Sequence, residues 1–305
     1  MTAPLALMSL GVTPNSVRGM GLVALSALSG TVSNAFVRHL TGQLDPVEIA
    51  FFRALIGLLL LSTMLVRYGF APLKTRRQGL YAVRGVLIAT SIILFYKGLT
   101  LVPLAKATAL NLSAPLFATV LAVIVLGERI HARRIAALAV GFFGMLVILR
   151  PGWGDSALGN SYVIASALTF SIVTIFLKIL SRTESTLTMS LYAGIVMTPA
   201  TFAMALPVWQ TPTLTQMAWL VGVGAFSVLA QLLFVQGIRQ ADVTAIAPVG
   251  FVRLLWAALV GYLFFSEVPD AWTWLGGIMI FASVTYIAWC ERREQGEKAA
   301  PGRSE

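Results

Sequence analysis

Residues Val102 to Glu128, VPLAKATALNLSAPLFATVLAVIVLGE, form an apolar run of 27 residues that stops at a carboxylate. A soluble core helix has no use for so long a stretch, whereas a helix crossing a bilayer needs about 20 such residues. The run predicts one transmembrane helix. Shifted forward by 139 positions without a gap, it falls on Ala241 to Glu267, ADVTAIAPVGFVRLLWAALVGYLFFSE, with Glu128 on Glu267 and Gly98 on Gly237. The same shift lays Phe95 on Phe234, and a shift of 140 lays Phe36 and Arg38 on Phe176 and Lys178. The chain therefore repeats itself over residues 17–290, and internal repeats in apolar chains are how transporters are built, with the substrate site near the midplane where the repeats meet.

Composition closes off the soluble classes. With 58% hydrophobic residues, a mean hydropathy of +0.85 and 11% charged residues, too little polar surface exists to coat a globule of 305 residues, and the chain is an all-α integral membrane protein. The net charge of +10 lies in short runs between apolar segments, the pattern of a topology signal and not of a nucleic-acid surface. Cys290 is the single cysteine, which excludes an intramolecular disulfide and a thiolate metal site. His39 and His131 have no ligand partners at helical spacing, so neither a metal nor a cofactor is expected.

Ten spans follow from hydropathy, at 17–37, 47–66, 79–99, 102–126, 131–149, 158–180, 187–207, 215–237, 243–265 and 270–290. Residues 1–16 read as a cytoplasmic leader, 17–150 and 158–290 as two five-helix repeats, and 291–305 as a disordered cytoplasmic tail. Five is odd, so the second repeat enters the membrane in the opposite sense and the two form an inverted pair. If the amino terminus is cytoplasmic, fifteen Lys and Arg fall on inner segments and three, Arg38, Lys97 and Arg150, on outer ones. That asymmetry predicts a multi-pass protein of the inner (plasma) membrane with both termini in the cytoplasm. Gly141, Gly144, Gly276 and Gly277 lie inside spans five and ten, where small residues allow close helix packing.

Three arginines are left over by topology, and charge in hydrocarbon is costly enough that each must face protein, water or an interface. Arg53 lies close to Glu48, which could pair with it. Arg84 is within two turns of the inner end of span three, where it could snorkel or line a site. Arg253 is near the middle of span nine, with Trp256 one turn on, and an arginine beside an aromatic ring suits a planar or carboxylate-bearing ligand. Asn111, Gln231 and Asn34 are further interior polar groups, giving Arg253, Trp256, Asn111, Arg84, Gln231 and Asn34 as the candidate substrate-binding set. Pro115 and Pro248 interrupt the two long helices and free carbonyls. No phosphate loop, deep acid pair, Ser/His/Asp or Cys/His arrangement or HExxH occurs, so the chain is read as a non-enzyme. A channel would need a continuous polar stripe, and the interior polar groups are too scattered to form one.

The segments DPVEIAFFRALIGLLLL, APLFATVLAVIVLGERI followed by GFFGMLVILRPG, and PVGFVRLLWAALVGYLFFSEVPD followed by the glycine pair of span ten resemble the drug/metabolite transporter superfamily, EamA type. That resemblance implies ten spans in two inverted repeats around a central cavity. It also implies export or uptake of amino acids, nucleosides, metallophore-like compounds, vitamins such as riboflavin, or S-adenosylmethionine. FVRLLWAALVGYLFF looks most like the branch that includes riboflavin and S-adenosylmethionine transporters. The expected partners are a small-molecule substrate and the lipid bilayer, in a monomer or homodimer. One departure is internal: Pro115 precedes Glu128 by thirteen residues, whereas Leu254 stands at the equivalent place before Glu267.

Overall fold

A backbone in hydrocarbon must satisfy every N–H and C=O within its own segment, which turns each apolar stretch into a helix. The computed structural model describes residues 14–68, 77–126, 131–150, 157–180, 184, 186–240 and 249–299. In chain order its α-helices are α1 (Pro14–Leu40), α2 (Pro46–Tyr68), α3 (Gln78–Leu101), α4 (Leu104–Asn111), α5 (Ala114–Leu126), α6 (Ala132–Leu149), α7 (Ala157–Leu180), α8 (Thr186–Ala205), α9 (Leu214–Gln240), α10 (Val249–Phe265) and α11 (Ala271–Ala299). No strand occurs among the described residues. Among the described residues nine stretches are long and apolar enough to cross a membrane, and Phe251–Phe265 is a shorter tenth. The beginning of span nine, with Pro248, lies outside the described residues, as do Glu128 and residues 1–13 of the leader.

Local chemistry sets the helix starts. Asp45 caps α2, its Oδ1 accepting from Val47 N at 2.8 Å, with Pro46 at the first helical position and Glu48 in the first turn. Asp270 does the same for α11, accepting from Thr273 N at 2.9 Å. Lipid-facing positions are apolar and open, as at Ile124 (73% exposed) and Phe264 (74% exposed).

Two expectations change. The run from Val102 to Glu128 is not one helix: α4 and α5 are separated by a turn at Leu112–Ser113. Pro115 has no N–H to give the carbonyl of Asn111, and the turn re-pairs what remains. Ser113 N donates to Leu110 O at 3.0 Å, the Ser113 hydroxyl donates to the same carbonyl at 2.6 Å, and Leu116 N donates to Ser113 O at 2.9 Å. The expected disordered tail is instead helical as far as Ala299, while residues 300–305 lie outside the description. Its sequence CERREQGEKA is rich in strong helix formers, with Glu294 and Lys298 at i, i+4, so α11 continues past the apolar stretch.

The packing carries the duplication into three dimensions. α1 lies along α9, and its counterpart α7 lies along α3; α2 meets α9 as α8 meets α3. α1 also meets α10 as α7 meets α4 and α5, and three further pairs join repeat equivalents to one another: α2 with α8, α4 with α10, and α6 with α11. A pseudo-twofold axis relating the repeats produces this set of pairs. The α6–α11 pair is closest where the expected glycines meet. A Cβ on Gly144 would strike Met279 and the carbonyl of Gly276, and one on Gly276 would strike Ile148 and the carbonyl of Gly144.

Candidate functional site

A cavity of about 300 Å³ lies between α2, α3, α7, α8 and α9, drawing on both repeats. Its polar groups are Arg53, Arg84, Thr174, Ser190, Ser227 and Gln231, set among apolar walls that include Ile92, Phe170 and Met197. Arg53 is seven residues into α2 and Arg84 six into α3, helices that enter from opposite faces. At 1.5 Å per residue they sit about 10 and 9 Å from those faces, which in a core of about 30 Å leaves roughly 10 Å between them along the membrane normal. The lining residues occupy the middle of the bundle and the half in which α2 ends and α3 begins.

Arg53 departs from expectation. Five residues turn a helix through about 140°, so Arg53 faces away from Glu48 and no pair forms. Its Nε donates instead to Ser227 Oγ at 2.9 Å, across the repeat boundary, and that hydroxyl is 2.9 Å from Ser33 Oγ. Glu48 is fully buried, with Oε2 accepting from Gln210 N at 3.3 Å. Arg84 does not snorkel: it is 8% exposed, donates from Nη1 to Met189 O at 3.0 Å, and has a buried Nε without a hydrogen-bond partner. One turn before it, Tyr81 stacks on Tyr192 with ring centroids 4.6 Å apart. Gln231 Nε2 donates to Ser190 Oγ at 2.8 Å.

Of the candidate set, the cavity therefore brings together Arg84 and Gln231. Arg253, Trp256, Asn111 and Asn34 do not line it. Leu254, next to Arg253, packs on Gly277, which also faces Ala109 of α4, so Arg253 and Asn111 share a depth at the α4–α10 crossing. Arg253 has no hydrogen-bond or ion-pair partner among the described residues, and the Trp256 Nε1 is buried without one. Asn34 is half-buried on α1. Sequence reasoning passed over Arg53, Ser190 and Ser227 as site residues. The 140° turn from Glu48 was the available sign for Arg53, whereas two serines in apolar helices carry none.

On the face where α1 ends and α2 begins, ion pairs join the helix ends. Arg38 pairs with Glu267 and donates to Leu99 O and, at 2.8 Å, to Val102 O; the other oxygen of Glu267 accepts from Leu104 N at 2.8 Å. Ser266, at φ 54°, takes the left-handed turn that ends α10 and places Glu267. On the same face Arg150, also left-handed at φ 45°, pairs with Asp270 and lies over the Trp272 ring. Phe51 packs there against Phe202 and Trp209, with centroids 5.2 and 5.8 Å away.

Comparison with known proteins places this architecture. The S-adenosylmethionine uptake transporter of Rickettsia bellii (strain RML369-C) is 31% identical over 280 residues, 92% of this chain and 96% of that protein. The riboflavin transporter of Vibrio cholerae serotype O1 is 27% identical over 296 residues, 95% of this chain and 99% of that protein. A protein of solved crystal structure matches the fold with a TM-score of 0.61 at 17% identity, over 90% of this chain and 98% of its own. The EamA-like transporter family matches at residues 17–150 and again at 157–289, the two halves of the duplication. With ten apolar stretches paired about a pseudo-twofold axis and both repeats matched, the chain belongs to the EamA-like transporter family.

Proposed function

We propose that this transporter is a secondary carrier of a small organic metabolite, and that the Arg53–Arg84 cavity is its substrate compartment. The observation that carries the reading is the cavity itself: about 300 Å³ at mid-membrane, between the repeats, with a few convergent polar groups on apolar walls. The relatives' named substrates, S-adenosylmethionine and riboflavin, indicate the size and the flat heterocyclic character of the ligand class. Alternating access fits the division between a charge-tied face and a cavity in the opposite half: transport opens the Arg38–Glu267 face and closes the other. Arg253, Trp256 and Asn111, on the α4–α10 pair that moves, supply further donors to the ligand during that exchange. In this reading the protein resides in the inner membrane, the Arg38 face is external, both termini are cytoplasmic, and no chemical conversion accompanies transport.

The test fills the cavity without touching its charges. A Cβ on Gly57 would have Val228 Cγ2 as its nearest neighbour at 3.7 Å, so a side chain can start there and project into the space. In proteoliposomes loaded for counterflow with S-adenosylmethionine, Gly57→Phe abolishes exchange while the melting temperature stays within a few degrees of the parent. Full exchange by a folded Gly57→Phe protein overturns the compartment.

A further inference from the structure

Among the described residues, the charged ones lining the cavity are Arg53 and Arg84, with no Asp or Glu. Each guanidinium is only partly engaged. Arg53 uses Nε on Ser227, which holds the group in place, and among the described residues its two terminal nitrogens have no partner. Arg84 uses Nη1 on a carbonyl and keeps a buried Nε unpaired. Unpaired donors of fixed positive charge in a low-dielectric pocket set a potential that attracts anions and repels cations, an effect far stronger there than in water. The lining groups lie within helices, whose backbone N–H groups are already spent on the helix. Among the described residues the cavity thus lacks the fan of backbone amides with which helix N-termini hold phosphates. What it offers is a two-nitrogen fork, matched to the two oxygens of a carboxylate.

We infer that the cavity selects metabolites bearing a carboxylate, which the terminal nitrogens of Arg53 bind bidentately, with Arg84 facing the other end of the ligand. The Gln231–Ser190 pair supplies neutral hydrogen bonds beside it, and Ile92, Phe170 and Met197 provide the apolar wall for the remainder. Arg53 is the residue that decides between an acid and its ester or amine analogue. This inference rests on the cavity being the substrate compartment, and the experiment separates the two.

Because the ligand is unidentified, the test reads the charge preference of the cavity directly. In a Cys290→Ser background, Ser190→Cys places one thiol in the lining. Its rates of modification by sulfonatoethyl methanethiosulfonate, an anion, and by trimethylammonioethyl methanethiosulfonate, a cation, are each normalised to that reagent's rate with a small thiol in solution. Two nearby guanidiniums predict a normalised preference for the anion of about tenfold or more. Arg53→Gln and Arg84→Gln each reduce it, and Arg53→Lys, which keeps the charge, retains most of it. A cation rate equal to or above the anion rate overturns the carboxylate inference and leaves the compartment standing. An anion preference indifferent to both Gln variants removes the assignment to these arginines. If neither reagent reaches Ser190→Cys, the compartment itself fails.

Discussion

The Arg38 face and the cavity half treat their guanidinium groups in opposite ways. At the face, a carboxylate, two carbonyls and the Phe265 ring surround Arg38, and Glu267 in turn holds the first N–H of α4. In the cavity, Arg53 and Arg84 each spend one donor on a neutral protein oxygen and meet no carboxylate among the described residues. Satisfied charge holds helix ends together, whereas unsatisfied charge inside a membrane protein stays costly until something else supplies the partner. The difference separates a part in which charge joins helix ends from a part in which, on the proposed reading, it awaits a ligand.

Five measurements would break or sharpen that division. The largest effect is expected at the face. Glu267→Gln keeps the side chain's shape but leaves Arg38 without its counter-charge and weakens the hold on Leu104 N, a loss of about 3 kcal/mol for a well-enclosed pair. The melting temperature of substrate-free protein should fall by many degrees, and a change too small to measure would mean that the ion pair does not close this face. Next come the arginines. Arg53→Lys keeps charge and loses the fork, costing roughly 1.5–3 kcal/mol of binding, or one to two decades in affinity, with folding preserved. Arg253→Lys should cost about tenfold if Arg253 reaches the ligand. Unaltered affinity in a destabilised Arg253→Lys protein would assign that residue to helix packing alone.

A smaller effect is expected from Ser227→Ala, which removes the oxygen holding Arg53 Nε and leaves both charges in place. Loss of one such hydrogen bond is worth about 1 kcal/mol, a several-fold rise in apparent Kd with little change in melting temperature. An effect as large as that of Arg53→Lys would place Ser227 itself on the ligand. The last measurement should cost no stability at all. In Cys290→Ser cells, an impermeant thiol reagent labels Thr211→Cys, between α8 and α9, and spares Gln78→Cys at the start of α3; equal labelling of both would overturn the outer and inner assignments, and the opposite pattern would reverse them.

Hydropathy and repetition by themselves determined that this chain is a ten-span membrane protein of two repeats, because the need to bury apolar residues and satisfy backbone groups in lipid acts within each stretch of about 20 residues. They also marked the glycines of α6 and α11, whose close approach the structure bears out, and Pro115, though not that it divides its helix outright. The grouping of polar residues needed the tertiary structure. Whether an arginine meets a carboxylate, a carbonyl or empty space depends on the rotation of its helix, about 100° per residue, and on which helix of the other repeat lies opposite. Arg53 was drawn to Glu48 by proximity in the chain and to Ser227, 174 positions away, by the fold. Glu267 read as the end of an apolar run, yet it became the group that joins α1, α4 and α10, because only the inverted pairing of the repeats brings Arg38 and Leu104 to it.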